Sequence, residues 1–269
     1  MSNVVADLHV HTTESDGTTD PSKIPELARE NGLDVIAVTD HDVYHDLCNP
    51  VVSRGQVDVI SGIELRVEAE SVDERIDLLG YGVTPTEELD RLVEEVRMNR
   101  KHRAEEMVRR IEEQTGAELE FEPTVSTGRP HIARAVKENE RIPYDYQGAF
   151  DDLIGREHYC YVPRDIPTFE TGVKALRSST MCISLAHPYR YDNAESILEL
   201  AEKLDAIECN YSYSDSVDVG NLPIEKTEEF DIGVTGGSDA HQPSSIGTCG
   251  LSREEMERFV NEFGISEYL

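Results

Sequence analysis

The feature that most constrains the fold is an alternation of short β-branched runs with stretches of helical pattern. This alternation is typical of βα units and of a parallel sheet. We predict seven strands, at Val4–Val10, Val35–Thr39, Val57–Ile63, Ile76–Gly82, Cys182–Ala186, Ala206–Asn210 and Ile232–Thr235. Almost every strand ends in a cluster of polar residues. Because active sites of parallel α/β folds lie at the carboxyl ends of the strands, we expect these clusters to converge.

The alternation stops after the fourth predicted strand, and a long, mainly helical stretch follows before Cys182. We predict that residues 85–179 form an inserted helical lobe that covers the active site, and that residues 1–84 and 180–269 form the main domain. The first lobe helix, from Glu87 to about Gln114, has one apolar face. Arg100 falls on that face, where an unpaired cation is costly, so Arg100 is a candidate substrate contact. The alternative is an arginine that extends to a carboxylate at the edge of the face.

The charge of the chain restricts its partners. Asp and Glu total 55 against 25 Lys and Arg, which gives a net charge of −30 with neutral histidine. Such a surface repels phosphate backbones, so we do not expect binding to long duplex nucleic acid. The acidic residues are spread along the whole chain and lysine is scarce, which favours adaptation to high salt. An ordinary acidic protein is the alternative.

The cellular location is predicted from what the sequence lacks. No apolar run approaches the ~20 residues that span a bilayer, and the N-terminus has no basic and apolar regions of a secretory signal. The five cysteines form no C-x-x-C pair, which indicates free thiols in a reducing compartment. We therefore predict a cytoplasmic protein with no membrane partner, and the sequence leaves its oligomeric state open.

Histidines that lie next to acidic residues predict a metal centre. Five of the nine histidines lie in strand-end clusters beside Asp or Glu, namely His9, His11, His41, His187 and His241. Imidazole nitrogen and carboxylate oxygen together suit Mn, Fe or Zn. His9 and His11 are two residues apart on a strand, so their side chains share one face and can bind one ion.

Four motifs occur in a fixed order along the chain. They are Asp7-Leu8-His9-Val10-His11-Thr12 with Ser15-Asp16-Gly17, Thr39-Asp40-His41-Asp42, Gly62-Ile63-Glu64 and Gly237-Ser238-Asp239-Ala240-His241. With these motifs the sequence resembles the PHP (polymerase and histidinol phosphatase) superfamily of metal-dependent phosphoesterases over nearly its whole length. The resemblance implies an α/β fold, a distorted (β/α)7 TIM-like barrel, and attack on a phosphoester by metal-activated hydroxide.

The resemblance also implies a trinuclear metal centre. We predict two or three bound divalent ions, with Mn²⁺ favoured over Fe²⁺, Zn²⁺ or Mg²⁺. By motif position, the implied ligands are His9, His11, Glu64 and Asp239 for one ion, Glu64 as a bridge and His187 for a second, and Asp16, His41 and His241 for a third.

Asp77 departs from the family pattern. Relatives carry histidine in a segment like His-Leu-Leu-Gly-Tyr-Gly, where this chain has Asp77-Leu78-Leu79-Gly80-Tyr81-Gly82. Asp77 can still supply an oxygen ligand, and the harder site would favour Mn or Mg over Zn. The alternative is a solvated or salt-bridged acid.

Three further segments narrow the resemblance to one branch. They are Gly128-Arg129-Pro130-His131-Ile132-Ala133-Arg134, Tyr161-Val162-Pro163 and Ala186-His187-Pro188-Tyr189-Arg190-Tyr191. They resemble nucleoside 3′,5′-bisphosphate phosphatases, some of which also act as 5′-3′ exoribonucleases on short oligonucleotides. The substrate implied is a small phosphorylated nucleotide such as 3′-phosphoadenosine 5′-phosphate, which would lose its 3′-phosphate, with short RNA as a further substrate.

Three residues outside the metal motifs are candidates for catalysis and substrate binding. A metal-bound histidine cannot also transfer protons, so we predict His131 as the general acid, with Arg129 and Arg190 gripping the second phosphate. Alternatively, Arg129 and His131 cap and pack the following helix, and Arg190 pairs with Asp192. The competing functions are a histidinol phosphatase, another small phosphomonoesterase, or a non-enzymatic metal-binding regulatory domain, which only Asp77 favours.

Overall fold

The computed structural model describes residues 4–45, 50–212 and 221–268. It contains two compact units, Met1–Leu92 with Pro167–Leu269, and Val93–Ile166. The strands, all in the first unit, are β1 (Ala6–Val10), β2 (Val35–Val38), β3 (Val51–Arg54), β4 (Val57–Ala69), β5 (Glu74–Tyr81), β6 (Cys182–Leu185), β7 (Ala206–Tyr211) and β8 (Gly233–Gly237). All seven predicted strands are therefore present, and β3 is additional.

Seven of these strands form a nearly closed barrel. Their order in the sheet is β1-β2-β4-β5-β6-β7-β8, and β3 pairs with β4 outside this path. A parallel bridge between Val10 and Ala240 joins the chain after β8 to β1. The N–H of His11 also donates to the carbonyl of Ala240 at 2.9 Å. The predicted barrel fold is confirmed.

The expectation of a parallel sheet is wrong for part of the barrel. β4 pairs antiparallel with β5, and β5 pairs antiparallel with β6. β4 runs beyond its predicted end at Ile63 to Ala69, and β5 begins at Glu74. A parallel neighbour needs a crossover of a dozen or more residues, so this short turn can only make a hairpin. Asp73, with φ 51°, adopts the left-handed conformation in this turn.

Helices surround the strands of the first unit and build the second. They are α1 (Ile24–Glu30), α2 (Glu87–Thr115), α3 (Arg129–Glu138), α4 (Tyr146–Ala149), α5 (Phe169–Arg177), α6 (Ala194–Leu198), α7 (Leu222–Phe230) and α8 (Arg253–Glu262). Single turns of 3-10 helix lie at Pro21–Lys23, Pro188–Arg190, Glu199–Lys203, Pro243–Ser245 and Ile265–Glu267, and a π-helical turn lies at Phe150–Ile154. No helix in the described ranges has the length and apolar character that crossing a bilayer requires.

Each unit has its own core. In the first unit, every residue of β1 and β2 is buried. In the second, Met107 and Ile111 of α2 pack with Ile132 and Val136 of α3. The predicted first lobe helix is confirmed as α2, and its apolar face is buried, Arg100 included.

The second unit is shorter than the predicted lobe of residues 85–179. The start of α2 and the whole of α5 belong to the first unit. α5 packs against β4, β5 and β6, and Gly172 lies so close to Val67 of β4 that a Cβ would approach its Cγ1 to 2.5 Å. That this lobe covers the active site remains a prediction.

Candidate metal centre

The ends of the barrel strands carry the predicted metal ligands. His9 lies in β1 and His11 directly follows it, whereas Glu64 lies within β4. His41 follows β2 and forms a bridge with Glu64, and His187 follows β6. The other predicted ligands are Asp16 after β1, Asp77 in β5, and Asp239 and His241 after β8. Each of the nine has a nitrogen or oxygen atom within 3.9 Å of another.

One group of ligand atoms comes from His9, His11 and Glu64. His9 Nε2 lies 3.5 Å from Glu64 Oε1, and His11 Nε2 lies 3.3 Å from Glu64 Oε2. Asp239 joins this group, since its Oδ1 lies 3.2 Å from His11 Nε2. Within the described residues, neither His9 Nε2 nor His11 Nε2 makes a hydrogen bond, although both are buried. Buried nitrogens that face carboxylates without hydrogen bonds fit a metal ion.

A second group of ligand atoms comes from His11, Asp16, His41 and His241. His241 Nε2 lies 3.2 Å from Asp16 Oδ1, and His41 Nε2 lies 3.7 Å from Asp16 Oδ2. Burial alone would raise the pKa of Asp16, but the hydrogen bond from His241 and the charges of His41 and His11 lower it far below its usual range. Three imidazoles and one carboxylate make a donor set that suits a divalent transition metal.

Glu64 lies between the histidines of the centre. Its Oε2 is 2.8 Å from His41 Nδ1, and its Oε1 is 3.0 Å from His187 Nε2. One carboxylate oxygen therefore faces each side, as a bridging ligand requires. Asp77 Oδ2 lies 3.9 Å from His187 Nε2, and Asp77 also forms a possible ligand group with His41 and Glu64.

The electrostatics of the centre call for cations. Burial alone would lower the pKa of His41, but Glu64 and Asp16 raise it to about 9. Burial likewise opposes protonation of His9, but Glu208, Glu64 and Asp239 raise its pKa well above the usual value. The buried carboxylates therefore favour protons on these two imidazoles. Metal ions bind the neutral imidazole and would replace these protons, so the residues present fit the ions.

Buried carboxylates outside the ligand set hold the ligands in place. Glu208 of β7 accepts a hydrogen bond from His9 Nδ1 at 3.0 Å and another from the His187 N–H at 2.8 Å. Asp7 accepts from the N–H of Ser238 at 2.9 Å and from that of Gly247 at 2.8 Å. These bonds fix the ring of His9 and join β1 to the loops after β8.

The backbone around the centre is close-packed between β1 and β8 and strained at two residues, one after β6 and one after β8. A Cβ on Gly237 would approach the Cβ of His9 to 2.3 Å, so only glycine lets the two strands come this close. His187 has a φ of 28° and Asp239 a φ of 52°, in the left-handed region that few non-glycine residues adopt. Such strain persists where the surrounding structure enforces it, which is common at functional sites.

Arg190 lies beside the centre. Its guanidinium donates to Asp239 Oδ2 at 2.8 Å, and its side chain is 43% exposed. A half-exposed cation that contacts a predicted metal ligand is suited to bind an incoming anion. Its contribution to substrate binding remains a proposal.

In the second unit, His131 acts as a helix cap, one of the two alternatives that the sequence left open. The N–H of Gly128, just before α3, donates to His131 Nδ1 at 3.1 Å. Because Nδ1 accepts this bond, a neutral imidazole carries its proton on Nε2. The capping contact therefore leaves a proton donor on the other side of the ring.

Arginines gather inside the second unit. Arg129 lies over the ring of Phe150 at 5.7 Å and over that of Tyr161 at 5.9 Å. Arg103 also lies over Tyr161 and donates to the carbonyl of Val162 at 2.7 Å. Burial lowers the pKa of Arg103 to about 10, and the nearby charges of Arg129, Arg164 and Arg100 contribute. This group of cations is suited to bind an anion.

Three residues of these sites were not predicted to take part. Arg103 lies three residues after Arg100, on the same side of α2, which is a signal that helical spacing provides. Glu208 belongs to a polar cluster at a strand end, but its partners are far away in the sequence. Arg66 lies two residues after Glu64 in β4 and forms an ion pair with Asp77.

Residues 7–163 match the family described as the PHP domain, and the chain belongs to this family. It is a metal-dependent phosphoesterase, and thus a hydrolase. The 5′-3′ exoribonuclease Rnm of Escherichia coli is 26% identical over 89% of this chain and 86% of its own length. A 3′,5′-nucleoside bisphosphate phosphatase of Chromobacterium violaceum is 24% identical over 74% of this chain and 71% of its own.

The fold also matches solved structures. An amidohydrolase from Chromobacterium violaceum superposes with a TM-score of 0.73 over 96% of both chains, at 20% identity. This likeness supports the fold alone. The PHP family match, together with the named exoribonuclease and phosphatase relatives, confirms the resemblance to the PHP superfamily and to its phosphatase and exoribonuclease branch.

Proposed function

We propose that the protein removes the 3′-phosphate from nucleoside 3′,5′-bisphosphates such as 3′-phosphoadenosine 5′-phosphate. The observation that carries the proposal is Arg190, a cation held at the edge of the metal centre by Asp239. A substrate with two phosphates can place one at the centre and the other against a guanidinium. The Chromobacterium relative, named a 3′,5′-nucleoside bisphosphate phosphatase, supports this substrate class.

The ligands predicted from the sequence are His9, His11, Asp16, His41, Glu64, Asp77, His187, Asp239 and His241, and Mn²⁺ is the ion that we expect. When bound, such ions neutralise phosphate oxygens and lower the pKa of water. The protein itself orients the ligands. Glu208 fixes the tautomer of His9 by accepting from Nδ1, which leaves Nε2 to face Glu64.

We also propose that Arg100, Arg129 and His131 take part in substrate binding, with His131 as the general acid. His131 Nδ1 is occupied by the Gly128 N–H, so Nε2 carries the proton of the neutral ring. His131→Gln separates catalysis from capping, because a glutamine oxygen can accept the same capping bond. We expect kcat to fall about 10²- to 10⁴-fold with an unchanged melting temperature. Unchanged kcat would mean that His131 only caps α3.

The substrate assignment is tested by phosphate release in molar KCl with Mn²⁺. The panel contains 3′-phosphoadenosine 5′-phosphate, 5′-AMP, histidinol phosphate and a short 5′-phosphorylated RNA, and Asp239→Ala is the inactive control. We expect release from the bisphosphate and not from AMP. Arg190→Lys keeps the positive charge, but an ammonium cannot donate two parallel N–H bonds to one phosphate as a guanidinium can, so KM for the bisphosphate should rise. Release from histidinol phosphate alone would contradict the proposal.

Exonuclease action on short 5′-phosphorylated RNA is a second candidate. The relatives named 5′-3′ exoribonucleases, from Haemophilus influenzae and Escherichia coli, match at least 86% of their own lengths. Shortening of the RNA from its 5′ end, abolished in Asp239→Ala, would support this activity. It is compatible with release from the bisphosphate.

A further inference from the structure

Asp77 is tied to an arginine. Arg66 Nε donates to Asp77 Oδ1 at 2.8 Å, and a second N–H of the same guanidinium donates to Oδ2. The two residues are direct cross-strand partners in the hairpin of β4 and β5. Asp77 is 1% exposed and Arg66 is 39% exposed, so the cation reaches from the surface to a buried carboxylate.

This ion pair belongs to the wall of the metal centre. Arg66 is two residues after Glu64 in β4, so both side chains leave the same face of the strand. Asp77 Oδ2 lies 3.9 Å from His187 Nε2, which in turn lies 3.0 Å from Glu64 Oε1. The guanidinium therefore stands next to the Glu64 and His187 side of the centre, where the family resemblance implies an ion.

We propose that the guanidinium of Arg66 takes the place of one divalent cation beside Glu64 and His187, so that this protein binds two metal ions instead of three. The two ions belong to the ligand groups described above, one with His9 and the other with Asp16. In this arrangement Asp77 and His187, two of the nine ligands predicted from the sequence, bind no ion. This inference concerns the metal centre and does not depend on which phosphoester is the substrate.

Charge compensation supports the proposal. Ligand atoms of Asp77, His41 and Glu64 all lie within 4.8 Å of one another, so these three residues are close enough to bind one ion. However, Asp77 is already neutralised by a bidentate guanidinium contact, the strongest geometry for such a pair. A dication bound to the same carboxylate would face that fixed positive charge at short range.

Replacement of a metal ion by the guanidinium of Arg66 also keeps a positive charge at this side of the centre. A guanidinium has five N–H donors and stays charged at all working pH values, and the contacts with Asp77 use two of them. Arg66 can thus offer N–H donors to a phosphoryl oxygen, as metal ions and arginines both do in phosphoryl transfer. Arg66 and Asp77 together carry no net charge, like the neutral histidine that the family has at this position.

The test is the number of Mn²⁺ ions bound per chain. Protein stripped of metal with a chelator is reloaded with Mn²⁺ in molar KCl and freed of excess metal. Its manganese content per chain is then measured by inductively coupled plasma mass spectrometry. We expect a ratio of two. A ratio of three would overturn the proposal, and so would a drop in the ratio for Asp77→Asn, because Asp77 would then be a metal ligand.

Variants test whether the guanidinium of Arg66 determines the number of bound ions. The double variant Arg66→Leu with Asp77→His removes the guanidinium and restores the family histidine, and it should bind three ions. Arg75→Ala is the matched control, because it removes the neighbouring cross-strand pair of Arg75 with Glu68, joined at 3.0 Å, and should leave the ratio at two. A folded double variant, verified by circular dichroism, that still binds two ions would overturn the proposal. Metal content is measured without substrate, so failure of the proposed function would not affect this result.

Discussion

At the scale of single residues, Glu208 controls how two histidines face the metal centre. It is fully buried and accepts both from His9 Nδ1 and from the His187 N–H. Its charge is also one reason why the pKa of His9 is raised against the effect of burial. When a carboxylate accepts a hydrogen bond from one ring nitrogen of a ligand histidine, it fixes the orientation of the ring. It also makes the other ring nitrogen more basic and therefore a stronger metal ligand.

We therefore predict that Glu208→Gln lowers the affinity for Mn²⁺ about 10- to 100-fold. The neutral amide has nearly the same shape as the carboxylate, so the packing of β7 should change little. Calorimetric titration of the metal-free protein with Mn²⁺ measures the effect. Glu229→Gln, an exposed glutamate of α7, is the control and should leave the affinity unchanged. Equal affinities for Glu208→Gln and wild type would mean that this carboxylate does not support the ligands.

At the scale of elements, α8 is held by a capping box. The N–H and the hydroxyl of Ser252 donate to Glu255 Oε2, at 2.8 and 2.6 Å. The capped N-terminus orients α8 so that its apolar face packs on the barrel. There the rings of Phe259 and Tyr81 contact each other edge to face, with 5.5 Å between their centroids. Burial alone would raise the pKa of Glu255, but the bonds from Ser252 lower it below the usual value.

The lowered pKa of Glu255 gives the cap a pH dependence. A carboxyl whose pKa is lower in the folded state stabilises the fold above its unfolded pKa, and this stabilisation is lost as the pH falls through the folded value. Ser252→Ala should lower the free energy of unfolding by about 1 kcal/mol at pH 7, and the difference from wild type should shrink below the ordinary glutamate pKa of 4.5.

Urea unfolding at several pH values measures this difference. Glu257→Gln, exposed in the same helix, serves as the control and should stay close to wild type. If the loss of unfolding free energy in Ser252→Ala stays constant down to the lowest pH at which the protein is folded, the charged form of Glu255 does not contribute to the cap.

At the scale of the whole molecule, the net charge of −30 makes the folded protein repel itself at low salt. Screening shortens the range of this repulsion, to ~3 Å in molar salt. We therefore predict that the midpoint of thermal unfolding rises as KCl increases from 0.1 M toward molar concentrations. Glutamine at the exposed positions Glu26, Glu30, Glu94 and Glu95 removes four negative charges and should reduce this rise. A midpoint that stays flat in KCl would exclude adaptation to high salt.

Local signals in the sequence determined much of this protein. Each of the seven predicted strands is a short β-branched run that can be recognised without its neighbours, and α2 shows its buried face by helical spacing. His9 and His11 were predicted as ligands because they lie two residues apart at a strand end beside acidic residues, whereas the resemblance to the PHP superfamily implied the role of Asp239. These features depend on residues close together in the chain, which is why sequence patterns reveal them.

Only the tertiary structure decided the pairings between distant segments. The direction of β5 follows from its hairpin with β4, and the short β3 gave too weak a pattern to be predicted. The partners of Asp77 and Glu208 depend on cross-strand register and on which strands become neighbours in the closed barrel. A one-residue change of register would turn Arg66 away from Asp77, because successive side chains point to opposite faces of a strand. Sequence alone therefore predicted the candidate ligands, and packing of the barrel determined which charges lie beside them.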